Sequence, residues 1–325
     1  MESSAIVAEG LVKTYPKDVR ALEGVGFAVE TGTVFALLGP NGAGKSTTVK
    51  ILTTLTLPDS GRAVVAGHEV VAQADRVRSA IGVVGQKHSV DPDATGRENL
   101  RLQGDLYGIP LRELRGRIEA LLERFDLTAD ADRLVRGYSG GMQRKLDVAI
   151  GLVNKPRVLF LDEPTTGLDP EARAEMWVEI ERLAREEEVT VLLTTHYLEE
   201  ADRLAKELAI VDRGRIVAAG TPEALKSELR GDTLAVELDG GGSHDSSVLA
   251  AVAAVAGVRE PVLEGSVLRA RAEEGARAVP AVLAALEEAG IAVAAATVSR
   301  PSLDDVYMRH AGRSLRAAEQ EETQS

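Results

Sequence analysis

The first forty residues alternate apolar and polar positions or break the pattern with glycine, as in "IVAEGLVKTYP" and "VGFAVETGTVFALLG". A period of two with such punctuation predicts several strands joined by tight turns across residues 5–38. "GKSTTVKILTTL" predicts a helix, and "GRAVVAGHEV" a short hairpin. From Thr95 the spacing turns helical. "TGRE" has the Thr-x-x-Glu form of a capping box, and "LRELRGRIEALLERF" repeats apolar residues at three and four. After "SGG" another helix, "MQRKLDVAIGLV", leads to the unbroken apolar run "VLFLD" between Pro156 and Pro164, which fits a strand buried on both faces. "EARAEMWVEIERLAREEE" is amphipathic, with Met176, Trp177, Ile180 and Leu183 toward the core and Trp177 serving packing alone. "VTVLLTTH" reads as a second buried strand. Strands alternating with helices imply a parallel sheet covered on both faces, an α/β architecture.

Near residue 231 the texture changes. "GDT" and "DGGGSHDSS" punctuate a segment rich in Ala and Val. "TLAVEL", the helix "SVLAAVAAVAG", the paired strands "VREPVLEG" and "SVLRARA", the helix "AVPAVLAALEEAG" and the strand "IAVAAATV" follow in order. That βαββαβ order is the split pattern of a ferredoxin-like α+β unit, expected over 231–312. The polar end "RAAEQEETQS" predicts a disordered tail over 313–325.

Composition narrows the classes of function. The formal net charge is −13, from 38 basic and 51 acidic residues, which argues against non-specific nucleic-acid binding. There is no cysteine, so thiolate metal sites and cysteine nucleophiles are excluded. "MESSAIVAEG" has no basic segment ahead of an apolar one and predicts no signal peptide. The run "VLAAVAAVAGV" is about half the roughly 20 residues a membrane helix needs. A chain without a span of its own, reaching the membrane only through a partner, is expected. The five histidines are scattered and form no i, i+4 ligand pair.

"LGPNGAGKST" carries the chemistry. Gly39, Gly44, Lys45 and Ser46 satisfy G-x-x-x-x-G-K-[ST] directly after the apolar "VFALL". Glycines let backbone N–H groups approach phosphate oxygens at a helix N-terminus. Lys45 can reach the β- and γ-phosphates, and the Ser46 hydroxyl can ligate Mg²⁺. "VLFLDEPTTGLDP" supplies the other half: Asp162 to hold the ion, usually through water, and Glu163 to orient and deprotonate an attacking water. "YSGGMQ" places a serine and two glycines before a helix, a second anion-binding N-terminus.

In order along the chain stand the P-loop, Gln86, "SGG", "LDEP", "GLDP" and His196 at a strand end. With that set, residues 5–225 resemble the nucleotide-binding subunits of ABC transporters. The resemblance implies a RecA-like P-loop core, an antiparallel β subdomain and a helical signature subdomain over about 95–155, with the C-terminal domain appended. It implies that ATP and Mg²⁺ lie against Gly39, Pro40, Asn41, Gly42, Ala43, Gly44, Lys45, Ser46 and Thr47 of one subunit. Ser139, Gly140 and Gly141 of a second copy would reach the γ-phosphate, so hydrolysis needs a homodimer. By the same resemblance Gln86 contacts Mg²⁺ and links to the membrane partner, Asp169 sits at the dimer seam, His196 binds the γ-phosphate and Tyr15 stacks on adenine. Tyr138 and Met142 depart from the commoner Leu and Gln of the signature, and Gly85 stands where Pro is frequent. None of the three removes a phosphate-contacting group.

"TGRENL", "YSGGMQRKLDVAIGLV" and "SRPSLDDVYMRHAGR" are similar to the daunorubicin/doxorubicin-resistance group of drug-export ATPases. That implies efflux of a drug-like or antibiotic compound through a separate integral membrane permease, with this chain on the cytoplasmic side of the cell membrane. The alternative is a soluble ABC ATPase acting on ribosomes or DNA. Two cassettes per chain, or long inserted coiled coils, would mark it; one cassette and no sustained heptads are present. A regulatory module that binds ATP without turnover is a third reading, opposed by Glu163 and His196.

Overall fold

The computed structural model describes residues 4–229, 231–239, 245–315 and 317–318. They form two compact units, 1–222 with 315–325, and 223–314. Leu315 and Ala318, inside the stretch expected to be a disordered tail, are buried, while residues 319–325 lie outside the described residues.

The first unit runs β1 (Ser4–Tyr15), β2 (Val19–Glu30), β3 (Val34–Leu38), α1 (Lys45–Leu52), β4 (Ser60–Val65), β5 (His68–Glu69), α2 (Ala74–Ala80) and β6 (Ile81–Val84). Then come α3 (Gly96–Leu106), α4 (Leu111–Arg124), α5 (Gly140–Leu152), β7 (Val158–Asp162), α6 (Pro170–Glu187), β8 (Thr190–Thr195), α7 (Leu198–Leu204), β9 (Glu207–Asp212) and β10 (Arg215–Gly220). Strands β2-β1-β4-β5 make an antiparallel sheet, and β10-β9-β3-β8-β7-β6 make the central one. In the central sheet every pairing is parallel except β10 with β9. The apolar runs explain this. All five residues of β3 and all six of β8 are buried, as strands covered on both faces must be.

Register positions the site. Leu38 pairs with Thr195, Asp162 with Thr194, and Leu161 with Val84. The carboxyl ends of β3, β8, β7 and β6 therefore lie along one sheet edge, where open α/β sheets bind ligands. The helical segment α3–α5 opens on the expected capping box: Thr95 accepts from the Glu98 N–H while the Glu98 carboxylate accepts from that of Thr95. On α6, Met176, Trp177, Ile180 and Leu183 are buried as the periodicity requires. Trp177 does more than pack, since its indole N–H donates to the fully buried Glu200 at 3.0 Å.

Helix α8 (Pro222–Ser227) crosses the division between the units. The second unit continues with β11 (Asp232–Leu238), α9 (Asp245–Ala253), β12 (Val258–Glu264), β13 (Val267–Ala272), α10 (Gly275–Glu288), β14 (Val293–Ser299) and α11 (Leu303–Ala311). Its antiparallel sheet has the order β12-β13-β11-β14, which is the ferredoxin-like arrangement of a βαββαβ chain. Leu234, Val236, Leu268 and Ala270 pack against Val248 and Val252 of α9 and Val282 and Leu286 of α10. Helix α11 follows this repeat. It is fastened by a capping box of Ser302 and Asp305, and Asp305 also accepts from the Thr233 hydroxyl of β11.

Candidate functional site

The loop between β3 and α1 is shaped by two demands. Gly42 and Gly44 have φ of 72° and 109°, backbone that L side chains rarely adopt. Packing imposes the second: a Cβ on Gly39 would lie 2.2 Å from the Val211 carbonyl oxygen, and one on Gly44 2.5 Å from that of Ala21. The glycines of "GPNGAGKST" thus serve close approach within the fold, beyond the role expected of them toward phosphate. Asn41 and Gly42 are exposed, Pro40 and Ala43 are buried, and Ser46 and Thr47 are half-buried at the start of α1. Lys45 is buried and donates to the carbonyls of Gly39 (2.6 Å) and Pro40 (2.9 Å).

Two strands away, β7 ends in Asp162, with Glu163 next in the chain. The Asp162 carboxylate accepts from the Ser46 hydroxyl at 3.2 Å and from the Thr194 hydroxyl. Glu163 takes a left-handed φ of 49° and is only 7% exposed. Such a backbone in a non-glycine residue costs about 1–3 kcal/mol, and the surroundings enforce it. The Glu163 N–H donates to both the carbonyl and the hydroxyl of Thr194, each at 3.1 Å. Its carboxylate accepts from the Gln86 amide (3.0 Å) and the Thr166 hydroxyl (3.3 Å), and lies 3.8 Å from Lys45 Nζ.

His196 follows β8. Its Nδ1 is 3.3 Å from Glu163 Oε1, close but without the alignment of a hydrogen bond, and its ring packs on that of Tyr197. The neighbouring His196 imidazole, aided by Lys45 and Thr166, holds the Glu163 pKa below the ordinary glutamate value, against burial, which raises it. Glu163 is therefore ionised at neutral pH and able to accept a proton. Lys45, Ser46, Gln86, Asp162, Glu163 and His196 converge here from four strand ends.

The other sequence-derived candidates stand apart. Ser139 caps α5, accepting from the Met142 N–H at 3.2 Å; Ser139 and Gly140 are exposed. Among the described residues no hydrogen bond or ion pair joins Ser139, Gly140 or Gly141 to the Lys45–Glu163 cluster. Asp169 caps α6, accepting from the N–H groups of Glu171 (3.1 Å) and Ala172 (2.9 Å), and is also exposed. Tyr15 ends β1, half-buried, with Lys13 Nζ 5.8 Å from its ring centre.

Sequence reasoning missed Thr194, which touches both acidic residues, and Arg144, which donates to four main-chain carbonyls around them. A signal for Arg144 existed: in "MQRKLDVAIGLV" Arg144 and Asp147 fall one turn apart on an otherwise apolar face.

Magnesium is compatible with this arrangement. Among the described residues no three His, Asp or Glu side chains converge to cage an ion. The Ser46 hydroxyl and the Asp162 carboxylate, already in hydrogen-bond contact, are hard oxygen donors with the amide of Gln86 nearby. Mg²⁺ favours few protein oxygens, with water and phosphate completing its shell.

Residues 22–166 match the family "ABC transporter", and residues 220–311 match "ATP-binding protein DrrA1-3-like, C-terminal domain". The daunorubicin resistance ATP-binding protein DrrA3 of Streptomyces coeruleorubidus is 45% identical over 319 residues, covering 98% of this chain and 99% of that protein. The chain belongs to the ABC transporter ATP-binding proteins. The Nod factor export ATP-binding protein I of Ralstonia nicotianae is 46% identical over 217 residues, 67% of each chain. Among solved structures, cbiO1 from Clostridium perfringens, part of an ABC transporter complex, aligns with a TM-score of 0.65 and 27% identity, covering 70% of this chain and 92% of that one. The first unit is thus an ABC ATPase cassette and the chain an ATPase of that type. Among the described residues no helix of this ABC protein is long and apolar enough to cross a membrane.

Proposed function

We propose that this chain is the ATP-hydrolysing subunit of an exporter, acting as a homodimer beneath a separate permease on the cytoplasmic side of the cell membrane. The observation that carries it is the division of the site. Lys45, Ser46, Gln86, Asp162, Glu163 and His196 gather at one sheet edge, while Ser139 sits exposed at the N-cap of α5 with, among the described residues, no hydrogen bond or ion pair to them. A second copy would bring its Ser139, Gly140 and Gly141 to the phosphates bound by the first, with Asp169 at the seam and Tyr15 against adenine.

Within that dimer the N–H groups of Asn41, Gly42, Gly44, Lys45, Ser46 and Thr47, at the N-terminus of α1, bind phosphate oxygens. Lys45 exchanges its carbonyl partners for the β- and γ-phosphates. Glu163 orients a water and accepts its proton as the new P–O bond forms and the bond to ADP breaks. His196 steadies the γ-phosphate and the Glu163 carboxylate together. Mg²⁺, held by Ser46 and Asp162 with Gln86 beside them, would neutralise phosphate charge.

Hydrophobic cargo is proposed from relatives whose names are daunorubicin resistance and Nod factor export proteins. The cassette also exposes Leu55, Leu102 and Leu106, which are 71%, 56% and 74% accessible. Near Leu55 is a groove of about 440 Å³ lined by Ile81, Val83 and Tyr107 together with the polar Asp75, Arg78 and Ser79. Apolar surface of this kind marks an interaction site, and a permease loop is the occupant we assign. Affinity capture of the tagged chain from detergent-solubilised membranes tests the reading. A polytopic membrane protein that co-purifies and stimulates ATP turnover supports it; ribosomes or DNA in its place overturn it.

A further inference from the structure

The residues that hold Gln86 and Glu163 in place lie on the signature helix itself. Arg144 and Asp147 are one turn apart on α5, and only 3% and 1% exposed. Arg144 donates to the carbonyls of Gly85 (2.7 Å), Asp162 (3.1 Å), Glu163 (3.1 Å) and Pro164 (2.7 Å). Its guanidinium is spent on the backbone immediately before Gln86 and on both sides of Glu163. Asp147 holds the far side of the same loop. Its Oδ1 accepts from the N–H and the hydroxyl of Ser89, each at 2.9 Å, and its Oδ2 meets His88 Nδ1 at 2.5 Å. Gln86 is therefore pinned to α5 at residue 85 on one side and at 88–89 on the other, with its amide on Glu163.

The backing is stiff. A Cβ on Gly82 of β6 would lie 2.0 Å from the carbonyl oxygen of Gly151 on α5, so helix and strand are pressed together there. Buried charge is costly unless fully hydrogen-bonded, and core-filling apolar residues would often serve stability as well. A buried Arg and Asp that bond only to the loops on either side of the catalytic groups point to a task beyond packing.

We propose that Arg144 and Asp147 are positioning residues that make the placement of Gln86 and Glu163 depend on the placement of the signature helix. When a second copy's nucleotide engages Ser139 at the start of α5, the helix carries both anchors, and Glu163 of the same chain is set for turnover. The proposal rests on the dimeric ATPase reading and adds a coupling inside one subunit. It differs from a purely structural role in where the damage falls: turnover declines while ATP binding and fold persist.

The test uses the purified full-length chain with MgATP, comparing Asp147→Asn, Gln86→Ala and their double variant in kcat, KM, equilibrium binding of a fluorescent ATP analogue and thermal midpoint. A positioning role gives Asp147→Asn a kcat lower by about tenfold with KM within about twofold. The double variant is then no slower than Gln86→Ala alone, because both act through one group. Parent-like kcat in Asp147→Asn, or losses that multiply in the double variant, overturn the proposal. His88→Ala/Ser89→Ala removes two of the three bonds to Asp147 from the loop side, the N–H of residue 89 remaining, and leaves the sequence of α5 unaltered, so it tests the anchor even where Asp147→Asn does not fold. Turnover at the parent rate there refutes the coupling. A parent chain that binds MgATP but never turns it over would sink the ATPase reading instead, a distinct result.

Discussion

Replacing Glu163 by glutamine separates the chemistry from the binding. The side chain is 7% exposed, accepts from Gln86 and Thr166, and lies 3.3 Å from His196 and 3.8 Å from Lys45. Glutamine has the same shape and retains a carbonyl oxygen for Gln86, so the cradle around Gly39–Thr47 is left as it was. What disappears is a carboxylate held ionised by His196 and able to take a proton. Loss of a placed general base slows reactions by about 10²–10⁴-fold, which corresponds to about 3–5 kcal/mol on the barrier. ATP binding should be unchanged or tighter, since a negative charge beside the phosphates is gone. Phosphate release under single- and multiple-turnover conditions gives the rate, and size-exclusion chromatography with MgATP gives the dimer. We expect Glu163→Gln to bind MgATP, turn over at least a hundredfold more slowly and accumulate as a dimer that the parent forms only transiently. A variant that hydrolyses within about threefold of the parent would remove Glu163 from the base role. One that binds ATP yet stays monomeric would refute the shared site.

Three further outcomes follow from the same geometry. His196 is the foremost group holding the Glu163 pKa down, so His196→Ala should raise it and move the acid limb of the residual kcat/KM profile to higher pH. In the parent, the stabilisation from ionised Glu163 is present above the ordinary glutamate pKa and is lost as pH falls through the lower folded value; in the variant that loss is smaller and is complete at higher pH, as urea unfolding at stepped pH would record. Gly39→Ala sets a methyl 2.2 Å from the Val211 carbonyl oxygen, so it should cost about 1–3 kcal/mol in unfolding and weaken ATP binding, whereas parent-like stability would mean the loop has slack. Asp169→Ala leaves two N–H groups of α6 uncapped and should cost about 1 kcal/mol, with Asp169→Asn restoring most of it; a larger loss in turnover than in thermal midpoint would place Asp169 at the dimer seam as well.

What could be read from the sequence was what depends on local spacing. "GPNGAGKST" after an apolar run is a strand, a loop and a helix start within one window, and the cap at Thr95 is settled by a residue three positions away. The buried strands were legible because burial on both faces leaves an unbroken apolar signature. The partners of Thr194, Arg144 and Asp147 were not, although Arg144 and Asp147 stand out on an apolar helix face, because those partners lie 18 to 59 positions away and only the fold brings them together. The Trp177–Glu200 bond was missed for the same reason, at a separation of 23.

That difference bears on how the cassette works. Groups that touch phosphate must be preorganised within a short loop, so their identities are written contiguously. Groups that tell the loop where its neighbours are must span the fold. Arg144 answers to both descriptions: it sits five residues past the serine proposed to reach a second subunit's nucleotide, yet its guanidinium binds the main chain on both sides of Glu163. About one and a half helix turns thus separate the surface that would sense the other copy from the bonds that hold the backbone around Glu163. On the coupling proposed above, that spacing would let hydrolysis wait for dimer closure without a long relay, because Arg144 bonds the backbone beside both partners of the Gln86–Glu163 hydrogen bond.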